Sequence, residues 1–319
     1  MIIYIILLII GFVVLIKGAD IFVDGASSIA GNFKVSKMLI GLTIVAFGTS
    51  APEFAVSVKS LINGSGDMVL GNVIGSNILN ILLILGMSAM FHPLSVKDST
   101  VKKELPITLL MTTIFAVLLS DKLFDDINTK VNVFTRSDGI IIILFFLVFV
   151  YYLIKMARNK IEVDQEEKYM SLKKAIIFTI IGIVSIVLGS NLVVDNAASI
   201  AKTIGVSEKL IALTIIALGT SLPELVTSIT ATRKGEYDIA IGNVVGSNIF
   251  NIGIVLGIPI AIFGGINQIT INYIDLIVMI ASALLVFIFS LKDRKISKSE
   301  GIVFLMIFVI YYSYVIYKG

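Results

Sequence analysis

The chain has 319 residues, 57% of them hydrophobic and 15% charged, and its mean hydropathy is +1.02. Soluble domains carry about 25% charged residues, so this composition excludes an ordinary water-soluble enzyme or binding module and predicts an all-α integral membrane protein. The net charge of +3 is uninformative by itself, no nucleic-acid partner is expected, and the absence of cysteine excludes disulfides and thiolate metal sites.

Apolar spans of membrane-crossing length lie near 2–31, 36–62, 67–91, 104–120 and 138–156, and again near 173–203, 207–232, 238–263, 270–291 and 301–317. They predict ten transmembrane helices in two groups of five. The first span has no basic segment before it, and its residues 11–33 match 182–204, with Gly11 against Gly182 and Asp24 against Asp195. It is therefore expected to belong to the fold and not to a cleaved leader. The charged stretch 158–174 reads as a cytoplasmic loop between a first repeat, 1–157, and a second, 175–319.

The second and third spans of each group carry the same sentence. GTSAPE at 48–53 returns as GTSLPE at 219–224, and GNVIGSNILN at 71–80 returns as GNVVGSNIFN at 242–251, both displaced by 171 residues. A whole helical unit has been duplicated. Because each unit has an odd number of spans, the second copy enters the membrane from the opposite side, which is the inverted-repeat plan of secondary transporters. Seventeen Lys and Arg residues, among them Lys37, Lys97, Lys155, Lys234 and Lys298, fall in one set of alternate loops; six, among them Lys122 and Lys202, fall in the other set and the C-terminus. The positive-inside rule then puts both termini outside.

Pro52 and Pro223 lack an N–H and clash with the carbonyl four residues back, so the second and seventh helices are predicted to break near Gly48 and Gly219 and to turn carbonyls into a cavity. Glu53 and Glu224 follow at once. An acidic residue at mid-membrane costs about 2.5–3.5 kcal/mol on an insertion scale, and incurring that cost twice at symmetric positions argues for function over a protonated, merely hydrogen-bonded carboxyl. In the third helices, Asn72, Ser76 and Asn80, and likewise Asn243, Ser247 and Asn251, stand at i, i+4 and i+8 on one face. Oxygen from carboxylates, carbonyls, hydroxyls and amides, without histidine or cysteine, suits hard cations such as sodium and calcium. Interhelical hydrogen bonding is the structural alternative for the serines and asparagines, and close packing for Gly71, Gly75, Gly242 and Gly246. Asp67 and Asp238 read as first-turn residues, Asp24 and Asp195 as capping or ion-guiding groups near an interface, and His92 as an interfacial residue. Ser50 and Ser221 have no histidine or lysine base beside them, so no hydrolase is expected.

The paired GTSAPE/GNVIGSNILN and GTSLPE/GNVVGSNIFN motifs resemble the two alpha-repeats of the calcium/cation antiporter superfamily, most closely its prokaryotic sodium/calcium exchanger branch. That resemblance spans the whole chain. It implies a ten-helix inverted repeat in which the first and sixth helices slide as gates, with no cofactor and no obligate protein partner, in the plasma (inner) membrane. Cytoplasmic calcium would exchange for external sodium at four central sites. Carried over residue by residue, it implies a calcium site of Glu53 and Glu224 with oxygens of Thr49 and Thr220. Sodium sites would add Ser50, Ser221, Ser76, Ser247 and the backbone carbonyls of Ala46 and Ala217, with Asn80 and Asn251 lining the centre. Relatives that resemble GSNIAD or GSNIFD have aspartate where this chain has Asn251, and the neutral amide implies potassium-independent exchange. A proton/calcium antiporter and a passive cation channel are the other functions compatible with such a cavity.

Overall fold

The computed structural model describes residues 1–124, 132–159, 169–206, 211, 214–215, 217–269 and 272–318. Among the described residues, apart from four strands of two to four residues, the regular structure is helical. The main helices are α1 (Ile2–Phe33), α2 (Lys37–Thr49), α3 (Ala51–Ile62), α4 (Gly66–Phe91), α5 (Leu105–Leu118), α6 (Arg136–Arg158), α7 (Leu172–Thr203), α8 (Leu222–Arg233), α9 (Tyr237–Phe263), α10 (Tyr273–Asp293) and α11 (Lys298–Lys318). Among the described residues seven of these, α1, α4, α6, α7, α9, α10 and α11, are long and apolar enough to cross a membrane; α2 and α3, bent by 45° at their junction, make an eighth span if taken together. The expected span near 207–232 and the expected loop 158–174 fall partly outside the described residues.

The centre is built by α4 and α9, whose most apolar windows are 67% and 72% buried, against 22% for α1 and 11% for α11. Lipid covers the outer helices, so exposed isoleucines on α1 need no protein partner. Glycine sets how closely the helices approach. A Cβ at Gly41 would stand 3.0 Å from the Gly242 Cα, and one at Gly246 only 2.7 Å from the Ala46 Cβ, so α2 and α9 meet backbone to backbone.

Helices α1 and α7 form a pair of their own. Gly11 faces Leu192 and Val193, Gly18 faces Ser185, and Gly25 faces Thr179; in return Gly182 faces Phe22 and Gly189 faces Leu15. One index falls as the other rises, so the two matching helices run antiparallel. Short antiparallel ribbons tie the loops of the two halves together: β1 (Leu94–Ser95) pairs with β4 (Lys295–Ile296), and β2 (Asn132–Phe134) with β3 (Ile266–Ile269). Beside the first ribbon, Lys102 hydrogen-bonds Asp98 and Arg294 approaches it to 2.7 Å, and the two cations hold that carboxyl below its usual range. Repeat mates Glu104 and Asp275, 171 residues apart, accept hydrogen bonds from Tyr152 and Tyr311 respectively, so each half anchors an acid at the start of its fourth helix.

The α1/α7 contact sets a stability test. A Cβ on residue 189 would lie 2.6 Å from the Leu15 nitrogen, so Gly189→Ala must force the helices apart. Overpacking of this kind costs about 1–3 kcal/mol. We expect a lowered unfolding temperature in detergent for Gly189→Ala and no change for Ile9→Ala, whose side chain faces outward.

Candidate functional site

The break in the second span falls at Ser50, between α2 and α3, and Pro52 sits in the first turn of α3. There its missing N–H costs nothing, because first-turn donors have no partner within the helix. Pro223 occupies the same place in α8. The proline thus starts a new half-helix after a turn. Gly219, whose carbonyl was expected to turn into a cavity, does border one, but that carbonyl accepts a hydrogen bond of 3.0 Å from Ser190 Oγ on α7.

Starting a helix here has an electrostatic consequence that the motif alone did not disclose. Glu53 and Glu224 fall in the first turns of α3 and α8, where the positive end of the helix dipole favours a carboxylate. Both side chains are only 1% exposed. Each is held by the other half: Ser50 Oγ donates to Glu224 Oε1 at 3.0 Å, and Ser221 Oγ donates to Glu53 Oε1 at 3.4 Å. Residues 50 and 221, and 53 and 224, are repeat mates, so the two bonds are the same contact made twice.

The remaining expected ligands gather around this pair. Ser76 Oγ accepts from Ser221 at 3.4 Å, Thr49 Oγ1 donates to the Ala46 carbonyl at 3.3 Å, Thr220 faces Glu53, and Thr49 and Ser247 face Glu224. The backbone of Ala217 opens the short helical turn Ala217–Gly219 leading to Thr220. Asn80 and Asn251 lie one helical turn farther along α4 and α9, where each helix widens into a π-helical stretch, Asn80–Leu85 and Asn251–Leu256. Five buried oxygens of the expected set, Glu53 Oε2, Glu224 Oε2, Ser247 Oγ, Asn80 Oδ1 and Asn251 Oδ1, have no hydrogen-bond partner. Buried acceptors are rarely left unpaired, and oxygens left over on both glutamates and on both central asparagines fit a pocket shaped for cations.

Two further pairs were hidden from the sequence pattern. Asn77 and Asn248 are off the i, i+4 face, yet Asn80 Nδ2 donates to Asn248 Oδ1 at 2.9 Å and Asn251 Nδ2 donates to Asn77 Oδ1 at 3.4 Å. Each amide at the centre is thereby oriented by the opposite repeat, with its own oxygen left over. The available signal was recurrence: both asparagines follow the serine in GSN. Ser57 and Ser228 serve Asn72 and Asn243, which also donate to the Glu53 and Glu224 carbonyls at 3.2 and 3.3 Å. Asn72 and Asn243 therefore act as interhelical struts. Thr49 adds a bond of 3.0 Å to Asn243 Oδ1 across the halves.

The other acidic residues lie elsewhere. Asp67 and Asp238 occupy first turns, with Asp238 bonded to Lys97; Asp24 pairs with Lys234; His92 is exposed and stacks on Tyr237. No group of three or more histidine, cysteine, aspartate or glutamate side chains gathers among the described residues. The site is two carboxylates and a shell of neutral oxygens.

Comparison with known proteins agrees with this geometry. The family model described as "Sodium/calcium exchanger protein" matches residues 3–155 and 174–317. The putative antiporter CaxA of Alkalimonas amylolytica is 39% identical over 96% of both chains. The sodium/calcium exchanger MaX1 of Methanosarcina acetivorans is 32% identical over 95% of both. A solved structure of the sodium-calcium exchanger NCX_Mj, soaked with 10 mM Na+ and zero Ca2+, superposes with a TM-score of 0.84 at 32% identity, covering 97% of each chain. With its apolar helices and its paired, carboxylate-centred repeats, the chain belongs to the sodium/calcium exchanger family of membrane antiporters.

Proposed function

We propose that this protein is an electrogenic, potassium-independent antiporter that exchanges external sodium for cytoplasmic calcium. The observation that carries the reading is the reciprocal clasp of Ser50 on Glu224 and Ser221 on Glu53, with unpaired acceptor oxygens beside it. Calcium is held by Glu53, Glu224 and the oxygens of Thr49 and Thr220. Sodium uses those carboxylates together with Ser50, Ser221, Ser76, Ser247 and the Ala46 and Ala217 carbonyls, with Asn80 and Asn251 at the centre. Hard ions with oxygen ligands are the chemistry such a shell supports.

In this reading the chain forms ten transmembrane helices in two inverted repeats, 1–157 and 175–319, joined by the loop 158–174 and lying in the plasma or inner membrane with both termini outside. The antiparallel α1/α7 packing and the bent α2–α3 pair support it. The two carboxylates give a site charge of −2, which one calcium neutralises. Three sodiums on the return leg leave one net positive charge, and the neutral Asn251 asks for no further cation. A membrane field acts on that charge with about 2.3 kcal/mol per 100 mV.

The defining experiment is calcium-45 uptake into proteoliposomes, with sodium, potassium and proton gradients imposed one at a time. Only the sodium gradient is expected to drive uptake. Uptake driven by a pH gradient would replace sodium with protons as the counter-ion, and flux without any counter-ion would mark a channel. In the same assay Glu53→Gln and Glu224→Gln should each lower exchange by at least about tenfold, the equivalent of about 1.4 kcal/mol, because half the site's charge is gone. A folded variant exchanging at the normal rate would remove that glutamate from the site.

Voltage dependence follows from the same charge count. A diffusion potential of either sign should change the rate of sodium-driven calcium flux, and withdrawing potassium at fixed voltage should not. Asn251→Asp, by adding a titratable group, should make the rate depend on pH or potassium. Voltage-indifferent flux, or a strict potassium requirement in the unmodified protein, would defeat the electrogenic, potassium-independent reading.

A further inference from the structure

The two ends of the α1/α7 pair carry different chemistry at matching positions. On α1, Asp20, Asp24 and Ser27 form one stripe at i, i+4 and i+7 that meets the turn Lys234-Gly235-Glu236 between α8 and α9. Lys234 Nζ reaches Asp24 Oδ1 at 2.7 Å and Asp20 Oδ1 at 3.8 Å, and donates to the Asp20 carbonyl at 2.7 Å. Ser27 Oγ donates to Glu236 Oε1 at 2.8 Å, and Lys37 of α2 stands 3.1 Å from the same carboxylate. The mates of the stripe on α7 are Asn191, Asp195 and Ala198, and the mate of the turn is Asn63-Gly64-Ser65. Both turns are built alike, with Gly64 at φ 74° and Gly235 at φ 77°, a region that favours glycine. One turn carries a lysine and a glutamate, the other only neutral polar side chains.

Both ends carry a recess, and what differs is what each reaches: one of about 570 Å³ is lined by Asp24, Ser27, Ser28, Lys234 and Glu236, and none of its lining residues is a candidate ligand. Asn191 and Asp195 make no ion pair among the described residues and line a cavity of about 350 Å³ that runs past Pro52 and Ala55 to Gly219 and Thr220, beside the candidate cation site. The glycines at the two breaks are both covered, Gly48 by Phe22 and Ile183 and Gly219 by Val194, so the difference lies in the cavity that reaches Thr220 from the Asp195 side. An inverted repeat can exchange these two arrangements: α1 leaves the 234–236 turn as α7 approaches the 63–65 turn.

We propose that Lys234, clasped by Asp20 and Asp24, is a latch that biases the conformational equilibrium toward the state in which the site opens on the Asp195 side. The inference rests on the exchanger reading for its functional meaning, and on the repeat asymmetry for its physical basis. The reversed state has no matching ion pair at Asn63 to offset the loss. Because the pair is partly exposed, its effect on the populations is about two- to fivefold.

The chain has no cysteine, so single reporters read the two openings directly. Ala55→Cys, in the cavity on the Asp195 side, and Val226→Cys, its repeat mate, would be labelled in membranes with an impermeant maleimide from each side. Lys234→Asn, which installs the mate's residue, should slow labelling at position 55 by about two- to fivefold and speed it at position 226. Asn63→Lys should shift both reporters in the same directions by giving Asp195 a partner, and adding Asp195→Asn should cancel its effect. The exchange D24K/K234D should restore the original rates. Unchanged labelling in Lys234→Asn and Asn63→Lys, or both reporters speeding up together as in general loosening, would overturn the latch. Sodium-driven calcium uptake by the unmodified protein is scored separately: its absence defeats the exchanger reading, while the labelling still decides whether the latch exists.

Discussion

The structure is organised around two carboxyl groups, Glu53 and Glu224, buried at the centre of a helical membrane protein. Lipid offers them no water, so the protein has to supply their hydrogen bonds and tolerate their charge. It does so by crossing the repeats: a serine of each half holds the glutamate of the other. Neither half can make these contacts alone, because each bond joins one repeat to the other. The half-helix starts at α3 and α8 direct their positive ends at the same carboxylates, compensating part of the cost of burying them.

Close helix contact is the second consequence of that central polar layer. The amide pairs Asn80 with Asn248, and Asn251 with Asn77, can form only if α4 and α9 run side by side at short range. Small residues permit it, as Gly41, Gly242 and Gly246 do where α2 meets α9. The outer pair α1 and α7 uses the same device, but its glycines serve a different end: the pair packs on itself and rests against both helix breaks, through Phe22 and Ile183 at Gly48 and through Val194 at Gly219. The two helices, closely packed on each other, thus lie over both helix breaks. The ends of the pair are unequal, charged at Lys234 and neutral at Asn63, and it is this difference in side-chain chemistry that the proposed latch uses.

Membrane class, the repeat with its offset of 171 residues, and the candidate ligands were legible along the chain, because carboxylates and hydroxyls are costly to keep in apolar surroundings and this chain keeps them twice at matching positions. Glu53, Glu224, Ser50, Ser221 and Ser76 meet in space as that motif suggests. Where the break falls was only approximately legible: the chain turns at Ser50, and Pro52 belongs to the next helix, since a proline is compatible with a helix start as well as with a helix interruption. Asn77 and Asn248 escaped the i, i+4 pattern because each stands one residue, about 100° of helix, past its serine, and its partner lies on the other central helix. The partner of Lys234 was invisible for a different reason. Asp20 and Asp24 lie more than two hundred residues away in the chain, and nothing local distinguishes a lysine at a loop from one that ties two helices together. Composition and periodicity act along the chain, whereas hydrogen bonds and ion pairs act across space. Which oxygen is left free, and which end of a symmetric protein is fastened, therefore emerged only once the helices were packed together.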